Sequence, residues 1–181
     1  QDNLPAKVVD RVYIGSIHAA FNQDGLLARG ITHVLNASGL PATFPRSFTY
    51  FNVDLRDKEE ADILGALGAA SVFIEAGTEK GGVLVHCAGG RSRSAAFIAA
   101  YLMMKQDFTF DQAVEQLKAA RPVVAINRGF ELQLRAYEAT GYDVFQSHQL
   151  MLRARVSQNT ERELVNLVFV FQQHDVLSQH N

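Results

Sequence analysis

The 181-residue sequence has a single cysteine, Cys87. One thiol cannot close an intrachain disulfide or build a Cys-rich zinc cluster, so a disulfide-stapled scaffold and a zinc-finger module are excluded. Excess charge of one sign is also missing: seventeen Lys and Arg stand against nineteen Asp and Glu, a formal net charge of -2. With no global basic field to hold nucleic acid or an anionic membrane, any anion must be caught by a local site. The longest apolar stretch near the end, residues 164–171, is about eight residues long and contains Asn166, well short of the roughly 20 a spanning helix needs. A soluble chain without a membrane span is therefore expected. Residues 1–5 carry no basic or apolar leader pattern, and the missing initiator Met suggests a trimmed chain or domain fragment. Without disulfides, a reducing compartment, cytoplasmic or nuclear, is the expected setting.

What is present is ordinary globular composition, 48% hydrophobic and 20% charged, with length for roughly one to one and a half domains. Residues 8–15 are β-branched and partly alternating, with Asp10-Arg11 as a turn between two short strands. Residues 19–29 read as one short helix ending at Gly30. Residues 31–35 form a compact strand, 39–46 a loop with two prolines, 48–55 an alternating strand and 56–62 a charged loop. Apolar residues from Ile63 to Ile74 recur near helical spacing, and Val83-Leu84-Val85 has the look of a strand buried on both faces. Helices are expected over 93–105, 110–120 with Thr109 or Asp111 as N-cap, and 127–140 before Gly141. Strands interleaved with helices predict an α/β fold, a central, mostly parallel twisted sheet flanked by helices.

The composition shifts after Gly141. Residues 144–155 and 160–177 both read as helical, and Thr160 with Glu163 fits a capping box. The apolar content of residues 164–171 is too high for a solvated tail. The expected organisation is a catalytic domain over 5–141 and a C-terminal helical extension over 142–181, packed on the domain or forming a homodimer contact.

The chemistry concentrates in Val83-Leu84-Val85-His86-Cys87-Ala88-Gly89-Gly90-Arg91-Ser92-Arg93-Ser94. A buried strand ends at Cys87, a glycine-bearing turn follows, and a helix starts at Arg93. Such a turn can aim the amides of Ala88, Gly89, Gly90, Arg91, Ser92 and Arg93 into one concavity at a helix N-terminus, a site for a dianion. Arg93 would present a planar fork to two phosphate oxygens. Amides, helix dipole and guanidinium all favour the Cys87 thiolate, so a depressed thiol pKa is expected. The loop is not a nucleotide-binding fingerprint, because no lysine follows the second glycine. A plain core thiol is the alternative for Cys87, and a plain core histidine for His86.

His-Cys-x-x-Gly-x-x-Arg-Ser resembles the signature of the cysteine-dependent protein tyrosine phosphatases. The flanking stretches, residues 9–15, 30–36, 100–104 and Asn127-Arg128-Gly129-Phe130 with Gln133-Leu134, resemble their small, atypical dual-specificity branch. The resemblance spans roughly residues 5–141 and implies a phosphatase of that fold. It implies that Cys87 attacks phosphorus, that Arg93 binds the equatorial oxygens, and that a loop aspartate protonates the leaving oxygen and then activates water. Ser94 would stabilise the departing thiolate, and His86 would orient the loop and help hold Cys87 ionised by hydrogen bonding. No metal or cofactor is required by that chemistry.

For the aspartate, Asp57, at the start of a mobile charged loop, stands first because its gap to Ile63 fits the family pattern. Asp54, on the strand, is second and Asp62 third. Arg91 is expected either to reach substrate or to face solvent, and Asn36 and Asn127 either to brace the loop or to act as caps. The implied substrate is a phosphoprotein carrying phosphotyrosine, phosphoserine or phosphothreonine. One alternative is a phospholipid or phosphoinositide, since Gly90-Arg91-Ser92-Arg93-Ser94 also resembles the loop of a phosphatidylglycerophosphate phosphatase; the other is an inactive phosphoprotein-binding module. With no second cysteine to resolve it, reversible oxidation of Cys87 is expected to proceed through a cyclic sulfenamide, a mixed disulfide with glutathione, or a link between two molecules.

Overall fold

The computed structural model describes residues 2–156. The backbone turns at Arg11, which takes a left-handed conformation, between β1 (Ala6–Val9) and β2 (Val12–Gly15). Then come α1 (Ile17–Ala20), α2 (Gln23–Leu27), β3 (Ile31–Asn36), β4 (Thr49–Asn52), α3 (Leu64–Lys80), β5 (Gly82–His86), α4 (Arg93–Gln106), α5 (Phe110–Ala120), α6 (Arg128–Ala139) and α7 (Val144–Val156). The five strands run in the order β1-β2-β5-β3-β4. Only β1 is antiparallel to its neighbour. The expected mostly parallel sheet is therefore present, with β5 at its centre.

Every residue of β5 is buried because both faces of the sheet are covered. Val83 and Val85 face a large core with Leu67, Ile74, Phe97 and Phe130, whereas Leu84 faces a smaller cluster with Leu26, Val34 and Phe48. Each such side chain contributes about 1.5–3 kcal/mol on burial. In α4 all ten residues from Ser94 to Met103 are buried. Its alanines let neighbouring elements approach this central helix from every side.

Two sequence expectations change. The single helix over 19–29 is two short ones, because Asn22 leaves helical geometry and caps α2 by accepting from the Gly25 amide at 2.9 Å. The strand over 48–55 shrinks to β4: its only partner is β3, whose ladder ends at the pair Asn36 and Asn52, so Asp54 and Leu55 lie beyond the sheet. Thr109, not Asp111, caps α5, within a full capping box. Of the C-terminal extension, α7 packs on α6 through Ala136, Ala139, Leu150 and Ala154. The helix expected over 160–177 and the homodimer contact lie outside the described residues. Among those described, no helix is long and apolar enough to cross a membrane.

Because β2, β3, β4 and β5 run parallel, the segments after each collect along one edge of the sheet. That edge is where open α/β sheets bind ligands.

Candidate active site

The loop between β5 and α4 folds back on itself at Gly90, whose φ is +61°. A Cβ there would sit 2.6 Å from the Gly15 carbonyl, so the position admits only glycine. Gly89 has no such constraint; a Cβ would meet only the Arg91 side chain at 3.5 Å.

The carbonyls of this loop are held from outside, one after another. Ala88 O accepts from the Ile17 amide at 3.1 Å, Gly89 O and Gly90 O from the Arg121 guanidinium at 2.9 Å each, and Arg91 O from the Ala125 amide at 3.0 Å; Ser92 O then accepts from the Ala96 amide at 2.8 Å as the first bond of α4 itself. No amide from Ala88 to Ser92 donates to a backbone carbonyl among the described residues. In a trans peptide the N–H points opposite its C=O, so carbonyls pulled outward leave amides turned inward. The result is a concave set of donors from the Gly89 amide onward; no such contact fixes the direction of the Ala88 amide among the described residues.

Cys87 lies at the base of this loop, 2% exposed. Burial pushes its thiol pKa up; the Ser94 hydroxyl, the amides of Ser94 and Arg91, and the Arg93 charge outweigh burial and bring it below the ordinary thiol value. The Ser94 Oγ is 3.3 Å from Sγ. Arg93 opens α4 and donates through Nη1 to Leu55 O at 3.4 Å, while its buried Nε has no hydrogen-bond partner among the described residues. An unpaired buried guanidinium N–H costs free energy that an oxyanion would recover.

His86, expected to orient the loop or to be a plain core histidine, is buried at the end of β5 next to Cys87. No hydrogen bond joins its imidazole to Sγ, and its buried Nδ1 has no partner among the described residues. Burial lowers its pKa to about 4, with Arg93 adding to the shift and the Cys87 backbone opposing it. A neutral ring brings no positive charge to the thiolate.

Asp57 rather than Asp54 reaches the phosphate loop. Its Oδ1 accepts from Ser92 Oγ and from Asn127 Nδ2, both at 2.7 Å. Asn127 caps α6 through the Phe130 amide at 2.9 Å and donates its own amide to Ser92 Oγ at 3.0 Å. It is thus both the cap and the brace. Asn36 serves neither role at this loop: it ties the turn after β3 through Leu40 O, Ser38 and Asn52. Arg91 turns away, its Nε donating to Val123 O at 3.2 Å.

The segment expected to be mobile is held at alternate residues by α6. Asp57 bonds Asn127, and Glu59 lies so close to Gly129 that a Cβ there would overlap the Glu59 carbonyl. Ala61 O accepts from Gln133 Nε2 at 2.8 Å, and the Ile63 amide donates to Gln133 Oε1 at 3.0 Å. Gln133 is buried, so losing either bond would cost on the order of 1–3 kcal/mol. Asp62 turns the other way, capping Leu64 and pairing with His148 of α7 at 3.0 Å.

Sequence reasoning did not single out Arg121, nor the clamps made by Gly129 and Gln133. Gln133 and Gly129 stood within a recognised stretch whose purpose spacing does not disclose. Arg121 carries no local signal at all; nothing in the chain order ties it to a loop thirty residues earlier.

Residues 12–140 match the model of the family described as dual specificity phosphatase, catalytic domain. Among curated proteins, the chain is 39% identical over 139 residues to MAP kinase phosphatase with leucine-rich repeats protein 3 of Dictyostelium discoideum, covering 76% of this chain and 16% of that one. It is 39% identical over 139 residues to dual specificity protein phosphatase 1 of Arabidopsis thaliana, covering 76% of this chain and 70% of that one. The chain spans only 16–20% of the length of the three Dictyostelium relatives. Among solved structures, a mouse dual specificity phosphatase complexed with zinc tungstate is similar with a TM-score of 0.74 at 35% identity, covering 77% of this chain and 89% of that chain.

Proposed function

The chain belongs to the dual-specificity phosphatase catalytic family, and from that premise we propose that it hydrolyses phosphotyrosine and phosphoserine or phosphothreonine in proteins through a cysteinyl-phosphate intermediate. The observation that carries this reading is the run of outward-held carbonyls from Ala88 to Arg91 around a buried thiol of lowered pKa. It supplies inward amides for the equatorial oxygens of a phosphoryl group, and Arg93 adds the guanidinium.

In the first step the Cys87 thiolate forms an S–P bond as the P–O bond to the substrate breaks, and the leaving oxygen takes the proton of Asp57. Asn127 and Ser92 hold that carboxyl above the loop. In the second step water attacks phosphorus, gives its proton to the Asp57 carboxylate, and the S–P electron pair returns to sulfur. Ser94 then stabilises the departing thiolate by hydrogen bonding. A thiolate of this kind needs a reducing compartment, so the cytoplasm or nucleus is the proposed setting.

The test is phosphate release from phosphotyrosyl, phosphoseryl and phosphothreonyl peptides and from phosphoinositide vesicles, with Cys87→Ser in parallel. Peptide turnover that the substitution abolishes is expected. Turnover of lipid alone would replace the substrate class, and phosphopeptide binding without turnover would make the chain a binding module.

A further inference from the structure

We propose that Arg121 is a positioning residue that sets the reactivity of Cys87 by gripping, from outside the phosphate loop, two successive peptide groups whose N–H bonds face inward. Arg121 follows α5 directly, and its side chain is 10% exposed. Nε donates to Gly90 O and Nη2 to Gly89 O, each at 2.9 Å, and Nη1 pairs with Asp2 Oδ1 at 2.6 Å. All three guanidinium nitrogens are therefore committed to fixed partners, two of them to successive carbonyls of the loop.

The carbonyl of Gly90 and the amide of Arg91 belong to one planar peptide and point in opposite directions. The Arg91 amide is one of the donors that hold the Cys87 thiolate. A cation on the carbonyl end both fixes the direction of that N–H and polarises it toward stronger donation. The same argument applies one residue earlier, where the grip on Gly89 O turns the Gly90 amide inward. Arg121 thus acts on sulfur through a peptide bond without touching substrate. A planar fork is needed for this, because an ammonium cannot span two carbonyls with the same geometry. Asp2 holds the far side of the fork, and the guanidinium lowers the Asp2 carboxyl in return.

The consequence for turnover rests on the phosphatase reading, but the thiol itself can be titrated without any substrate. Rates of Cys87 alkylation by iodoacetamide are followed against pH in the full chain, in Arg121→Gln and in Arg121→Lys, with circular dichroism to establish folding. The expected result is an apparent thiol pKa raised by about one unit in the Gln variant, so that alkylation below the native pKa slows about tenfold. The Lys variant, which keeps the charge but not the fork, is expected to be raised by a smaller, resolvable amount. If the Gln variant does not fold, the Lys variant alone decides. A folded Gln variant that titrates at the native pH overturns the proposal, and so does a folded Lys variant that does, since charge without the fork would then suffice. Loss of phosphatase activity with an unchanged titration curve also counts against it.

Discussion

Cys87 to Arg93 bring the nucleophile, the inward amides and the guanidinium from seven consecutive residues, whereas residues 56–62 bring one carboxylate. The first segment is gripped by its carbonyls, from Ile17, Arg121 and Ala125. The second is gripped by side chain and backbone together, from Asn127, Gly129 and Gln133. A loop whose backbone is the ligand must have its backbone fixed. A loop that offers one side chain needs only that side chain placed, and here a single helix, α6, does it. The acid loop is thus a dependent of α6, even though its charged, exposed sequence reads as mobile.

The largest effect that sharpens this contrast is expected at Asp57. Asp57→Asn should slow hydrolysis of an alkyl phosphate by about 10²–10⁴-fold, and that of an aryl phosphate with a good leaving group far less. Steady-state rates on the two substrates give the comparison directly; equal losses on both would mean that the carboxylate serves the loop's structure and not the leaving group.

A backbone ligand makes a second, more local prediction. Gly90→Ala places a Cβ at positive φ against the Gly15 carbonyl, whereas Gly89→Ala meets only the end of a flexible arginine. The first is expected to lose roughly 1–3 kcal/mol of stability together with most activity, and the second to stay close to native. Urea midpoints and turnover of the two variants check it, and equal behaviour would break the claim that backbone direction governs this loop.

The last expected effect appears only under acid conditions and concerns His86. Burial lowers His86 from 6.5 to about 4, so between those values the unfolded chain takes up a proton that the folded chain does not. Stability from this group is therefore complete above about pH 6.5 and falls as the pH drops toward 4, by up to about 3 kcal/mol. His86→Gln should flatten that part of the stability curve. Denaturant midpoints between pH 4 and 7 measure it, and parallel curves for the two proteins would place the titrating group elsewhere.

The phosphate loop was legible in order along the chain because its parts are neighbours: the apolar run of β5, the thiol, the glycine and Arg93 read as strand, turn and helix start. Asp57 is legible through its place in the charged loop and its spacing to Ile63, whereas the desolvation that keeps His86 neutral leaves no mark on sequence. Helix breaks at Asn22 and the early end of β4 were likewise invisible, since one depends on a side-chain cap and the other on where a partner strand stops.

By itself, then, the sequence determined the alternation of strands and helices, the buried central strand and the nucleophile with its guanidinium, all of which follow from periodicity and local backbone preference. Only the tertiary structure decided which aspartate meets the loop, that α6 carries the acid segment, and that Arg121 grips the carbonyls of Gly89 and Gly90. Those are contacts between residues thirty to seventy positions apart. Their partners are chosen by the packing of α5 and α6 against the sheet and its central helix, which no local pattern records.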